Sequence, residues 1–78
     1  MNDLSVGDWL IITVEFQEDN AKYNSGTQYY WPLGREARVM RIDDNHVTIE
    51  RNRTIVNVPL SLAMNMREAF EAMRRAGS

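Results

Sequence analysis

Four short stretches of this chain alternate apolar with polar side chains, and a fifth repeats its apolar positions at helical spacing. Residues 9–16, WLIITVEF, put Leu10, Ile12, Val14 and Phe16 on one face and Trp9, Ile11, Thr13 and Glu15 on the other. Successive side chains of a strand point to opposite sides, so the uniformly apolar set is the predicted core face and Trp9 and Ile11 point outward. Gly7-Asp8 is a turn signal in front of this strand. Residues 35–42 (REARVMRI), 46–51 (HVTIER) and 54–58 (TIVNV) read as three further strands, separated by the turn residues Asp43-Asp44-Asn45 and Asn52-Arg53. Connections this short imply antiparallel neighbours. Pro59 ends the last strand because it has no N–H for a ladder.

The tail changes period. Leu62, Met66, Ala69, Phe70 and Met73 form an apolar stripe against Arg67, Glu68, Glu71, Arg74 and Arg75, which predicts an amphipathic helix over about 62–76. Two starts fit: Ser61 as the cap of a helix from Leu62, or Asn65 with Glu68 as a capping box after a one-turn connector. Gly77 is a natural stop. Between the first two strands, residues 17–34 form a long connection that ends in Gly26-Thr27-Gln28-Tyr29-Tyr30-Trp31-Pro32-Leu33-Gly34. Loops of that length are usually functional or carry a hairpin of their own, and Tyr29-Tyr30-Trp31 reads as the returning arm of one.

Length confines all of this to a single domain, residues 1–78, with a core so small that each large apolar residue matters. The absence of cysteine removes disulfides and thiolate metal sites and suits a reducing cytoplasm, the expected location. The N-terminus carries no basic leader and no apolar run long enough for a signal or a membrane span, so no membrane is expected as a partner. Net charge is −2 and unevenly spread: residues 1–34 hold five acids against one lysine, whereas 35–53 hold five arginines against four acids. An acidic chain is a poor match for a nucleic-acid backbone as a whole, although a local arginine face can serve.

The order of elements, with two stretches of sequence, resembles the small SH3-like barrels. Val6-Gly7-Asp8-x-Leu10-x-Ile12 is similar to the first strand of many such barrels, and Gly34-x-x-Ala37-x-Val39-x-x-Ile42 followed by Val47-x-Ile49 is similar to the pattern of KOW-type and Tudor-type barrels. Ala37 stands where the KOW pattern has its second glycine, the acidic-aromatic motif of signalling SH3 domains is absent, and a helix replaces the fifth strand. The resemblance implies a mainly β fold, an antiparallel SH3-like barrel of four to five short strands over about 6–58 with one C-terminal helix. Closing the sheet would remove its edges. The helix is then expected either to plug one open end or to lie on the outward patch of Trp9 and Ile11.

Candidate chemistry points to binding. His46, the single histidine, sits beside a hairpin turn, and Asp43-Asp44-Asn45 is what such a turn requires. No phosphate-binding loop, metal-ligand spacing or nucleophile elbow occurs, so no catalytic residue, cofactor or metal is expected. An enzyme whose site forms only on oligomerisation is the distant alternative. Tyr23, Tyr29, Tyr30, Trp31 and Pro32 are residues of the kind enriched at binding hot spots. The resemblance sets the loop after the first strand beside the usual ligand groove, and the expectation is a small regulatory module of bacterial or phage style that recognises a protein through this loop. Rings finishing the core are the competing reading of the same cluster. Arg35, Arg38, Arg41, Arg51 and Arg53 with the same aromatics form the alternative, a platform for RNA or single-stranded DNA, opposed by a salt-bridged surface with Glu36, Asp43, Asp44 and Glu50. The Met66/Phe70/Met73 stripe is expected to be core or, in a homodimer, an interface.

Overall fold

The computed structural model describes residues 4–23 and 31–77, with the backbone alone for 20–23. Its elements run β1 (Trp9–Ile11), α1 (Val14–Tyr23), β2 (Glu36–Ile42), β3 (His46–Arg51), β4 (Thr54–Pro59) and α2 (Leu60–Gly77). The strands form one antiparallel meander in the order β1-β2-β3-β4. It is not closed into a barrel: β1 and β4 are its two edges. The architecture is therefore a four-stranded sheet with helices chiefly on one face.

The three later strands follow the predicted spans to within a residue. The first does not. Period-two alternation extends to Phe16, yet β1 ends at Ile11 and a helix begins at Val14. Thr13 decides this: its hydroxyl accepts the amide of Phe16 at 3.2 Å, the N-cap bond that satisfies an otherwise unpaired donor of the first turn. The residues after it, rich in Glu, Gln and Ala, are helix formers. The turn from strand to helix sends Val14 to the surface, at 54% exposure, while Leu10, Ile12 and Phe16 stay in the core. Residues 17–23 of the connection placed at 17–34 are thus helical; of its proposed hairpin arm Tyr29-Tyr30-Trp31, Trp31 is not in a strand and the two tyrosines lie outside the described residues.

Pairing continues past β1, because the amide of Ile12 donates to Arg35 and that of Gly34 to Ile12, both at 2.9 Å. Gly34, at φ 80°, makes the turn from Pro32 to Arg35 that feeds β2. The inner face of the sheet carries Leu10, Ala37, Val39, Val47, Ile49, Val56 and Val58, and the buried residues of α2, Leu62, Ala63 and Met66, complete one cluster with Phe16 and Trp31.

Helix α2 begins at Leu60, ahead of both predicted starts. No side-chain cap is needed there, since the Leu60 amide donates to the Asn45 carbonyl at the β2–β3 turn, 2.9 Å away. The helix packs chiefly on β1. Arg67 donates from Nη1 to the Trp9 carbonyl at 3.0 Å and pairs from Nη2 with Glu71 at 3.4 Å. It lies over the Phe70 ring, 5.3 Å from its centroid. Ile11, on the same outward side of β1 as Trp9, is buried beside Phe70 and Met73 of α2, so the helix lies on part of the expected Trp9–Ile11 patch, whereas Trp9 remains 44% exposed. Among the described residues no helix is long and apolar enough to cross a membrane.

Candidate functional site

The helices cover the inner face of the sheet, α2 also covers the Ile11 corner of the outer face, and the rest of that outer face is open. Register fixes what that open face presents. Trp9 stands opposite Arg38, Arg38 opposite Glu50, and Glu50 opposite Ile55, one row across all four strands. A second row runs Arg41, Thr48, Asn57, where the Thr48 hydroxyl donates to Asn57 Oδ1 at 2.6 Å. Between the rows the register slips at Met40, a β-bulge. An inserted residue leaves two neighbours against one on the partner strand, and here Met40 and Arg41 are both exposed. Trp9, Met40 and Ile55, at 44%, 46% and 59% exposure, are thus unusual for large apolar groups on a charged face.

Two turns hold this face. Ser5 to Asp8 forms a turn closed in both directions: the Ser5 amide donates to Asp8 Oδ2 at 2.8 Å, and the Asp8 amide to the Ser5 carbonyl at 3.0 Å. Gly7, at φ 95°, occupies its left-handed position. The same turn grips β2 just before the bulge, with Gly7 donating to the Val39 carbonyl and Val39 to the Asp8 carbonyl. At the other end Asn52 and Arg53 both take positive φ, 52° and 67°, the pair of values that defines a type I′ hairpin. Glu50 Oε2 accepts the Arg53 amide at 2.8 Å and steadies it.

The predicted arginines divide. Arg38 and Arg41 lie in the two outer rows, and Arg35 and Arg53 are exposed at turns. Arg51 is half-buried and turns its Nη1 onto the Glu36 carbonyl at 3.2 Å. Arg41 faces Thr48 across the strands, so Arg41 and Arg51 are not cross-strand neighbours. Acids are interleaved: Arg41 bonds Asp43 at 3.2 Å, and Glu50 lies directly opposite Arg38. The face is mixed in sign rather than basic.

The predicted aromatic cluster divides as well. Trp31 is buried to 2% exposure and meets Phe16 edge-on, with centroids 5.3 Å apart at 87°. Its carbonyl accepts Gln17 Nε2 at 2.6 Å, so this stretch docks α1 on the core. An exposed contact through Trp31 is thereby corrected: its ring closes the core. Pro32 is half-buried at the start of the turn into β2. Tyr29, Tyr30 and the side chain of Tyr23 lie outside the described residues.

Of the helix stripe, Met66 is fully buried and belongs to the core, which leaves Phe70 half-buried and Met73 exposed. Phe70, Met73 and Ile11 floor an open depression of about 260 Å³ rimmed by Arg35, Glu36 and Arg74. That is below the roughly 300–1,000 Å³ typical of small-molecule pockets. No group of three His, Asp or Glu able to hold a metal occurs among the described residues, and His46 is an exposed strand-end residue opposite Pro59. Compared with known proteins, the chain matches no family model, no curated sequence and no solved structure.

Met40 and Ile55 are the site residues that sequence reasoning did not single out. Both had a signal. The spacing Val39-x-x-Ile42 breaks a period of two, which marks a bulge, and Ile55 alternates with Thr54, Val56 and Val58 in a strand whose core face is the other one.

Proposed function

We propose that this chain is a non-enzymatic binding module that recognises a protein partner through the open face of its sheet. One observation carries the reading: the row Trp9–Arg38–Glu50–Ile55, with Met40 beside it, exposes three large apolar side chains among charges of both signs on the part of the outer face that no helix covers. Exposed aromatic and apolar anchors ringed by polar groups are the anatomy of a protein-recognition surface. Alternating charge favours a protein over a phosphate backbone, because Glu50 beside Arg38 and Asp43 beside Arg41 would each oppose a polyanion.

The fold reading extends the same way. The meander, the bulged second strand and a helix laid along β1 support an opened SH3-like barrel in which α2 takes the side of β1 where a fifth strand would pair. Tyr23, Tyr29 and Tyr30 keep the recognition role that their sequence suggests and are tested apart from the sheet face.

The test compares wild type with a Trp9→Ala/Met40→Ser double variant. Both should give the same circular dichroism and melting behaviour, and the wild type alone should retain a partner identified by mass spectrometry and remade as a purified pair. Equal binding by the double variant would refute the sheet face. Retention of mixed single-stranded RNA or DNA, with affinity falling steeply as salt rises, would replace the protein reading with the nucleic-acid one through Arg35, Arg38, Arg41 and Arg53.

A further inference from the structure

The two edges of the sheet are treated differently. In β1 the pair Ile12–Arg35 is hydrogen-bonded, so by alternation Trp9 and Ile11 direct their backbone groups away from β2. That edge is covered: Arg67 of α2 donates to the Trp9 carbonyl, and Ile11 is buried. In β4 the bond from Leu60 to Asn45 sets the same alternation. Thr54, Val56 and Val58 therefore face β3, and Ile55, Asn57 and Pro59 direct their backbone groups to the free edge. Among the described residues nothing meets those groups.

Natural edge strands are blunted by charge, proline or a bulge. From Thr54 to Val58 this one has none of these: the run is TIVNV, four of its five residues β-branched and none charged. Proline comes only at position 59. Such an edge is a template for another strand.

We infer that the free edge of β4 pairs antiparallel with β4 of a second copy, joining two sheets into one of eight strands. The strand is complementary to itself. With the two-fold axis at Val56, Ile55 and Asn57 of one copy oppose Asn57 and Ile55 of the other. Each of those opposed pairs exchanges both N–H···O bonds, and no proline must donate. Thr54 then faces Val58, and no like charges meet. On the inner face the row Val39–Ile49–Val56 now ends at the edge, with Val56 slightly open at 5% exposure. Val56 of the second copy continues that row into the partner core. The overall charge of −2 does not oppose the contact, because the charges lie elsewhere. Each copy has one bare edge and one covered edge, so the assembly closes as a dimer instead of growing into a fibre.

The inference does not rest on the partner proposed above, since the backbone edge of β4 carries it; of its two variants only Ile55→Lys touches the apolar row, and Asn57→Pro leaves Trp9, Met40 and Ile55 in place. Sedimentation of the full chain over a concentration series should show the mass rising from 9.1 kDa towards twice that value. Over the same series, hydrogen exchange at the Ile55 and Asn57 amides should slow. Asn57→Pro deletes an N–H that points away from β3 and should return the chain to a folded monomer. Ile55→Lys, a charge at the junction, should do the same and carries the test if the proline variant fails to fold. A wild type that keeps the mass of one chain throughout overturns the inference. So does a dimer that survives both substitutions, as one built on Phe70 and Met73 would, or one that leaves exchange at Ile55 and Asn57 unchanged.

Discussion

Arg53 holds a backbone conformation that its own side chain disfavours. At φ 67° the Cβ of an L-residue crowds the following carbonyl, at about 1–2 kcal/mol. The type I′ turn nevertheless needs positive φ at both central positions, and Asn-Gly is its preferred pair. Here Asn52 fits and Arg53 does not. The one bond that holds Arg53, from its amide to Glu50, belongs to the backbone and would survive any substitution but proline. Arg53→Gly should therefore stabilise the chain by about 0.5–1 kcal/mol, after allowance for the extra freedom of glycine in the unfolded state. For a domain of this size a gain of 1 kcal/mol raises Tm by about 4–8 °C, well within reach of calorimetry. A lower Tm would show that the Arg53 side chain contributes something its exposed position does not reveal. The same variant removes one arginine of the nucleic-acid alternative, so it also measures how little that position matters to partner binding.

Thr13 shows what a single residue does to an element. Alternation over WLIITVEF is unbroken, and nothing in the pattern of apolar positions distinguishes a strand of eight residues from a strand of three followed by a helix. The information lay in the polar residues: a threonine with helix-forming Glu, Gln and Ala behind it. Capping competes with the ladder, and it wins because β1 has a partner on one side only and little to lose by stopping. Strands β2 to β4 were legible because two short turns and strict alternation agree. Even there, the x-x between Val39 and Ile42 had to be read as a bulge to place Met40 outside. Trp31 was ambiguous for a different reason. Its burial depends on Phe16, which a strand and a helix aim in different directions, so the fate of the ring could not be known before the element was. If the cap sets this boundary, Thr13→Ala should destabilise by about 1 kcal/mol, and Thr13→Ser or Thr13→Asp should restore most of it. Urea titrations would show the loss as a lower midpoint at unchanged slope. A wild-type midpoint for the alanine variant would mean that the Phe16–Trp31 contact alone holds α1 in place.

Across the whole molecule one small core is shared by elements far apart in sequence. Phe16 comes from α1, Trp31 from the turn into β2, Val39, Ile49 and Val56 from the sheet, and Met66 from α2. None of these pieces has enough apolar surface to stand alone, and helices of ten and eighteen residues are marginal in water without packing. The chain should therefore unfold as one unit. Met66→Ala removes a fully buried side chain that ties α2 to the sheet, at about 2–5 kcal/mol. Trp31→Ala, at about 3–5 kcal/mol, removes the ring that ties α1 to it. Against a total near the lower end of about 5–15 kcal/mol, either change should leave much of the population unfolded at moderate temperature. The two tryptophans supply the probes, since Trp31 is buried and Trp9 is partly exposed on the opposite face. In a Trp9→Phe background, fluorescence reports the core through Trp31 while circular dichroism reports chiefly the helices. For wild type and for Met66→Ala alike, the two probes should give coincident transitions, with the variant's midpoint lower by both, and that is the result a single shared core requires. Loss of helical signal before the Trp31 signal would show that α2 melts from an intact sheet. The β1 edge would then be as bare as that of β4, and the closed dimer would give way to open-ended strand pairing.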